Sequence, residues 1–499
     1  MSELSERLAA LSPAKRALLD TARARPAPIQ PLGTDTAPLS FEQRRLWFVH
    51  RLAPGTAAYT IPFAYRLRGA LDTAALERAQ AELVRRHAAL RTTFADGPGG
   101  EAVQRVRPDA GFALERLDLR ALPAAEREAK CRRAGAAFVR RPFDLAHGPL
   151  FRVLLVALDE QEHVLAQAVH HLVADGASQR ILLEELGALY AGAPLPAPPA
   201  QLADFAAWQR RHLTDAALAA EADYWRRELA AAPHALEVPP DRPRPAAPSL
   251  AGAKEPLQVP ADVADALRAL ARAEGTSLFT VLLAAFAALL QRCTGEEAFL
   301  VGTAAEGRTR PEIERAVGFF ANTLPLRARV EGDPDARALV RRLHRAVRGA
   351  HDHPRLPFDR MVELAGVRRD PARAPLVQVM FLLNEAAAPA LRLPGVAAEQ
   401  VLVDAGASAF DLALGMEERA EGLYGELQYA TELYLPATAA RLARRYEAAL
   451  AAFARHPDVP LSRLPLVGGD ERRQALAWGR GAPAPAAAST LHGLFAAQA

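Results

Sequence analysis

A proline-rich stretch, VPPDRPRPAAPSLAGA at 238–253, interrupts the chain close to its middle, and it carries five prolines. Proline has no N–H to give to a sheet and breaks a helix interior, so neither element runs through such a segment. On both sides, runs with helical spacing alternate with short runs rich in Val, Leu and Phe. A chain of 499 residues is also too long for one ordinary core. These features predict a mixed α/β (α+β) protein of two lobes, 38–237 and 238–465. A helix and linker at 1–37 precede them and a linker at 466–499 follows.

The finer pattern supports this division. Leu4, Leu8, Leu11 and Leu18 recur at helical spacing over 1–24, and ARPAPIQPLGTDTAP follows as a linker. In the first lobe, helices are predicted at 72–89, with Asp72 or Thr73 as cap, and at 125–140, 178–192, 204–211 and 221–229. FRVLLVAL (151–158) and HVLAQAVH (163–170) read as paired strands joined by a turn at Asp159–Glu162. Beyond the break, helices are predicted at 261–273, 277–293, 335–351 and 437–455. Strands are predicted there at 298–303, 322–330, 376–383, 409–416 and 422–429.

Composition narrows the function classes. Sixty-one basic residues stand against 58 acidic ones, a formal charge of +3, which does not call for nucleic acid. The longest apolar run, Leu278–Leu290, is too short to span a bilayer and reads as a buried helix. The N-terminus has no apolar signal core, so the expected location is cytoplasmic, and the expected state is a monomer. Cys131 and Cys293 stand far apart with no neighbouring ligands and read as buried thiols rather than a disulfide or a zinc site.

The chemistry concentrates where the second predicted strand runs into HHLVADG (170–176). Adjacent strand residues point to opposite faces, so only one of His170 and His171 can face a given cavity while the other packs inward. Imidazole titrates near neutrality and can hold or pass a proton there. Asp175 is placed to shape the following turn and to pair with a basic side chain, and Gly176 to allow a backbone conformation closed to other residues. Core packing is the commoner fate of a strand histidine. His170, His171 and Asp175 are also metal-ligand types, but the two rings diverge and no further His or Cys cluster completes a set, so no metal is expected.

HHLVADGAS, taken with other segments in the same order, resembles the condensation domains of nonribosomal peptide synthetases. The accompanying segments are LSFEQRRLWFVHRL (39–52), RRHAALRTTF (85–94), LADFAAWQRR (202–211) with YWRREL (224–229), GTAAEGRTRPEIERAVGFFANTLPLR (302–327), HDHPRLPFDRMV (351–362) and RRDPARAPLVQVMF (368–381). Together they cover about 38 to 465. The resemblance implies two chloramphenicol acetyltransferase-like lobes in a V-shaped pseudo-dimer, with the site between them and reached from two faces. It implies that donor and acceptor peptidyl carrier proteins deliver thioesters on phosphopantetheine arms, the domain itself binding no cofactor. The acceptor's α-amine then attacks the donor carbonyl. His171 matches the family's essential histidine, acting either as a general base or as a group that positions the amine.

By the same resemblance, His170, Asp175 and Gly176 complete the motif. Asp175 is expected to pair with Arg308, and Asn322 to stand near the substrates. Ser178 is a further candidate, Arg91 and His87 are supports, and Trp47 and Trp208 are packing residues. Ala177 stands where many relatives carry an aromatic residue. LSRLPLVGGDERRQALAWGRGAPAP followed by LHGLFAAQA resembles the approach to an adenylation domain, and the N-terminal helix resembles a leader segment. Epimerization domains share the motif, but GFFANTLPLR fits condensation better. Cyclization domains carry aspartates where His170 and His171 stand, and recruitment modules usually lose the motif. Peptide elongation is the expected reaction, with N-acylation of a first amino acid by a fatty acyl group as the alternative.

Overall fold

The structure is a computed structural model that describes residues 27–230, 232–233, 235–367, 370–384, 391–419, 421–480 and 490–496. The helix expected over 1–24 and the linker APAPAAAS lie outside the described residues. The first half contributes β1 (Thr36–Pro38), β2 (Thr60–Gly69), β3 (Thr92–Asp96), β4 (Ala102–Val106), β5 (Leu114–Asp118), β6 (Phe151–Ala157) and β7 (Glu162–His170). The second contributes β8 (Gly252–Pro260), β9 (Ala298–Ala305), β10 (Asn322–Arg329), β11 (Val379–Asn384), β12 (Val396–Val401), β13 (Leu412–Arg419) and β14 (Gly422–Ala430).

Two large sheets result, ordered β12-β2-β7-β6-β5 and β10-β9-β11-β13-β14-β8, and β1, β4 and β3 form a small third. The large sheets share one design. In each, an antiparallel hairpin, β6–β7 or β13–β14, has a parallel strand on one side, β5 or β11. On the other side it has an antiparallel strand, β2 or β8. Each hairpin runs through a tight turn into a long helix, His170 to the helix Gly176–Tyr190 and Ala430 to the helix Pro436–Arg455. The turns close with equivalent bonds: Val173 N–H donates to the His170 carbonyl at 3.0 Å and Leu433 N–H to the Ala430 carbonyl at 3.0 Å. Thr431 therefore occupies in the second half the place that His171 occupies in the first. The repeat is in backbone and not in side-chain chemistry, which is why no periodicity exposes it.

Burial explains the strands. β6 is an interior strand between β5 and β7 and is buried along almost its whole length, and its run of Val and Leu suits that. The run at 278–290 forms a core helix, Leu278–Thr294, capped by Ser277 and ended by Gly295 in the left-handed region at φ 76°. Among the described residues no single helix is long and apolar enough to cross a membrane.

Several predicted boundaries shift. The helix expected at 72–89 ends at Arg86 and gives way to a 3-10 turn at Ala88–Arg91, because Arg91 takes the helix's last carbonyls. β8 begins inside the proline-rich break, at Gly252, where a Cβ would strike the Ala407 backbone at 2.5 Å. β2 and β12 carry no clean alternation and escape a reading by pattern. Their pairing with each other supplies the order.

The halves also exchange segments. Residues 306–321, between the paired strands β9 and β10, leave the second sheet and place Ile313, Ala316, Val317, Phe319 and Phe320 in the first half's core. β12 adds itself to the first half's sheet beside β2. The first of these straps carries part of the site.

Candidate active site

β7 delivers both histidines and stops between them. His170 is its last residue, paired across to Thr60, and the next backbone N–H, that of His171, donates to the Tyr59 carbonyl at 2.8 Å. Leu172, Val173 and Ala174 are fully buried and plug the turn into the core. The Leu172 carbonyl accepts from Gln43 Nε2 at 3.1 Å, which ties the turn to the helix Phe41–Leu52. Ser40 and Gln43 cap that helix reciprocally, so SFEQ carries a capping signal that points at the site.

His170 is the inward ring. It is 4% exposed and packs edge-on to Phe143 at 5.7 Å. Its Nδ1 accepts from Leu172 N–H at 3.1 Å. Burial, helped by the charges of its neighbours, pushes its pKa down to about 3, so it stays neutral and braces the turn.

His171 faces the other way and is part-exposed. Burial lowers its pKa from the ordinary 6.5; the Asp175 carboxylate and the carbonyls of His171 and Ala174 pull it up, and Arg45 pulls it down. The net direction is down, so the ring is chiefly neutral at pH 7 and can accept a proton. Its Nδ1 has no partner with hydrogen-bond geometry. The Phe319 ring stands edge-on at 4.8 Å with 70° between planes.

Asp175 caps the helix Gly176–Tyr190. Its Oδ1 accepts from Ser178 N–H at 2.9 Å and from Arg308 Nη2 at 2.8 Å. Its Oδ2 accepts from Arg308 Nη1 at 2.7 Å and from Phe320 N–H at 3.1 Å. Arg308 lies on the strap, with its guanidinium 4.6 Å from the Phe320 ring centroid. Ser178 Oγ stands 2.8 Å from Asp175 Oδ1 and 2.9 Å from the Gly318 carbonyl, its one proton serving either, and it accepts from Gly318 N–H at 3.0 Å. One carboxylate thus fixes both its own helix and a segment from the other half.

Gly176 corrects the sequence reading. It is the first residue of an ordinary helix, its φ is not in the left-handed region, and a Cβ there would meet nothing within 4 Å. What glycine contributes is open space beside the turn. Ala177 is part-exposed next to it. Asn322 opens β10 and lies beside the site with its amide fully used: Nδ2 donates to the Pro354 and Leu356 carbonyls at 3.0 and 2.7 Å, and Oδ1 accepts from Phe358 N–H at 3.2 Å. Arg91 is away from the site. It donates to the Val84, Arg85 and Arg107 carbonyls and ends a helix. His87 is fully buried, with Nε2 at 2.7 Å from Glu185 on the helix that Asp175 caps.

Sequence reasoning missed Arg45, Tyr59, Phe319 and Phe358. Arg45 donates to Thr323 Oγ1 at 3.1 Å, lies 4.8 Å from the Phe358 ring centroid, and so joins the halves across a crevice with about 10 Å³ of free space. Phe41, Glu42, Phe319 and Asn322 also line it. The larger groove, about 930 Å³, runs between later turns of the helix Gly176–Tyr190 and Leu391–Val396 and touches none of HHLVADG. Among the described residues no three His, Cys, Asp or Glu side chains converge as metal ligands.

Two chloramphenicol acetyltransferase-like lobes carry the site, with a histidine on the hairpin-to-helix turn of one braced by a strap from the other. The family model of the condensation domain matches residues 34–476, and the chain belongs to the condensation domains of nonribosomal peptide synthetases. A component of the linear gramicidin synthase of Brevibacillus parabrevis is 41% identical over 461 residues, covering 91% of this chain and 6% of that protein. Phosphinothricin tripeptide synthetase PhsB of Streptomyces viridochromogenes is 40% identical over 490 residues, covering 95% of this chain and 41% of that protein. The chain therefore spans less than half the length of these relatives. The X-domain from teicoplanin biosynthesis, solved with OxyB, superposes with a TM-score of 0.79 at 30% identity, over 89% of this chain and 99% of that one. The first condensation domain of the calcium-dependent antibiotic synthetase, in complex with a substrate analogue, superposes at 0.74 over 87% and 100%. At 22% identity it speaks for the fold alone.

Proposed function

We propose that this domain forms an amide bond between two carrier-bound acyl units. A donor acyl or peptidyl thioester reaches the site on one phosphopantetheine arm and an aminoacyl thioester on another. The acceptor's α-amine attacks the donor carbonyl, the C–N bond forms, the C–S bond breaks, and the lengthened chain remains on the acceptor carrier. A free α-amino group has a pKa near 8, so part of it is already neutral at pH 7. His171 takes the proton that nitrogen sheds and returns it to the departing sulfur. The observation that carries the reading is a chiefly neutral, part-exposed imidazole on a turn locked across both halves by Asp175 and Arg308. Donor and acceptor carrier proteins, and an adenylation domain following the chain, are the partners this reading requires.

A second reading is a non-catalytic recruitment module, which the likeness to the teicoplanin X-domain favours. Carrier proteins loaded with an aminoacyl donor, a fatty acyl donor and an aminoacyl acceptor, followed by mass analysis of the acceptor arm, test both. A peptidyl product supports elongation and a fatty-acyl amide supports chain initiation. No amide with any donor, together with retained carrier binding, supports recruitment.

A further inference from the structure

A histidine that handles a proton through one ring nitrogen is usually oriented by a hydrogen bond at the other. The carbonyls of His171 and Ala174 act on the His171 ring, but neither meets its Nδ1 with full hydrogen-bond geometry, so they do not by themselves fix its plane. The group against it is Phe319, edge-on at 4.8 Å. We infer that Phe319 is the positioning residue for the His171 imidazole, and that Asp175 and Ser178 serve the reaction by holding Phe319 in place. The inference rests on the amide-forming reading and adds to it.

The backbone geometry is specific. Phe319 is 7% exposed and comes from the strap, yet the residues on either side of it are bonded to the turn that His171 begins. Gly318 N–H donates to Ser178 Oγ at 3.0 Å, and Phe320 N–H donates to Asp175 Oδ2 at 3.1 Å. The chain from His171 through Asp175 and Ser178, across to the strap and back through the Phe319 ring is therefore a closed circuit of contacts. The strap has little freedom within it. A Cβ at Gly318 would strike the Phe320 ring at 2.7 Å and Leu202 Cδ1 at 2.9 Å. Phe320 is itself wedged between the Arg308 guanidinium and Phe205, whose ring stands 5.0 Å away. Phe319 also forms a wall of the crevice between the halves, so its ring stands between that crevice and the imidazole.

The test is turnover with loaded donor and acceptor carriers for wild type, Phe319→Ala, Phe319→Leu and Phe319→Tyr. Misplacing a reacting group by about 1 Å costs on the order of a hundredfold, so kcat should fall by about tenfold to a hundredfold in Phe319→Ala and Phe319→Leu. KM for the loaded acceptor carrier should stay within about twofold of wild type, and Phe319→Tyr, which keeps the aromatic edge, should restore kcat. A purely packing role would lower the melting temperature and leave kcat of the folded protein unchanged. If Phe319→Ala does not fold, Phe319→Leu decides, and wild-type kcat in it overturns the inference. A dead His171→Ala beside a fully active Phe319→Leu would sink this inference alone, whereas an active His171→Ala would remove the reading beneath it.

Discussion

Asp175 and Arg308, 133 residues apart, meet in a two-pronged pair with contacts of 2.7 and 2.8 Å, and both side chains are almost wholly buried. The pair is the point at which the strap from the second half is fastened to the turn that carries His171 in the first.

Removing one partner should be far worse than removing both. Asp175→Ala leaves a buried guanidinium without its counter-charge and removes the cap of the helix Gly176–Tyr190, a loss of about 3–5 kcal/mol. The double variant Asp175→Asn with Arg308→Met should recover at least about half of that, because no bare charge is left inside. Urea denaturation of the single and double variants measures the difference. Equal destabilisation would mean that the charges are not coupled.

The neutral, buried His170 predicts a pH dependence. Its folded-state pKa is pushed from 6.5 to about 3, so the folded protein binds fewer protons than the unfolded chain between these values. Its stabilising contribution is complete above pH 6.5 and is lost as pH falls toward 3. His171, also lowered, contributes in the same direction. His170→Gln, whose amide oxygen can still accept from Leu172 N–H, should therefore lose less stability than wild type between pH 6.5 and pH 4. Parallel melting curves for the two proteins over that range would contradict this.

Gly176→Ala should fold as well as wild type, with stability changed by less than about 1 kcal/mol. The position is helical and its Cβ has open space. Thermal melting checks it, and a large loss would show that glycine's backbone freedom matters there after all.

Asn322→Ala should cost about 1–3 kcal/mol, since it strands the Pro354 and Leu356 carbonyls and the Phe358 N–H that its amide satisfies. It should also loosen Phe358, against which Arg45 stacks. A denaturation midpoint equal to wild type would exclude a clamping role.

The strand-to-turn-to-helix path through HHLVADG was legible because β6 and β7 are apolar runs with a polar turn between them, and because Asp175 stands one residue before a helical pattern. The divergence of His170 and His171 followed from strand alternation alone. Arg308 was reached only through resemblance, since no spacing rule connects residues so far apart. The role of Gly176 was misread because glycine's permissive backbone is the usual reason for its presence, and here the residue opens an ordinary helix. Phe319 and Arg45 could not be singled out: an aromatic ring in an apolar strap and an arginine on a capped helix look like ordinary packing until the two halves meet. The exchange of β12 and of 306–321 between halves escaped for the same reason. A strand's partner is chosen by the whole sheet, and β2 carries no pattern that names β12.

Everything proposed for this site turns on the His171 imidazole handling the proton in amide formation. A single-turnover measurement tests it, with pre-loaded donor and acceptor carriers mixed with wild type or His171→Ala and the amide on the acceptor arm quantified over time. His171→Ala, with an unchanged melting temperature, should form amide no faster than the loaded carriers do without the domain. Amide formation at the wild-type rate by the folded variant would contradict it.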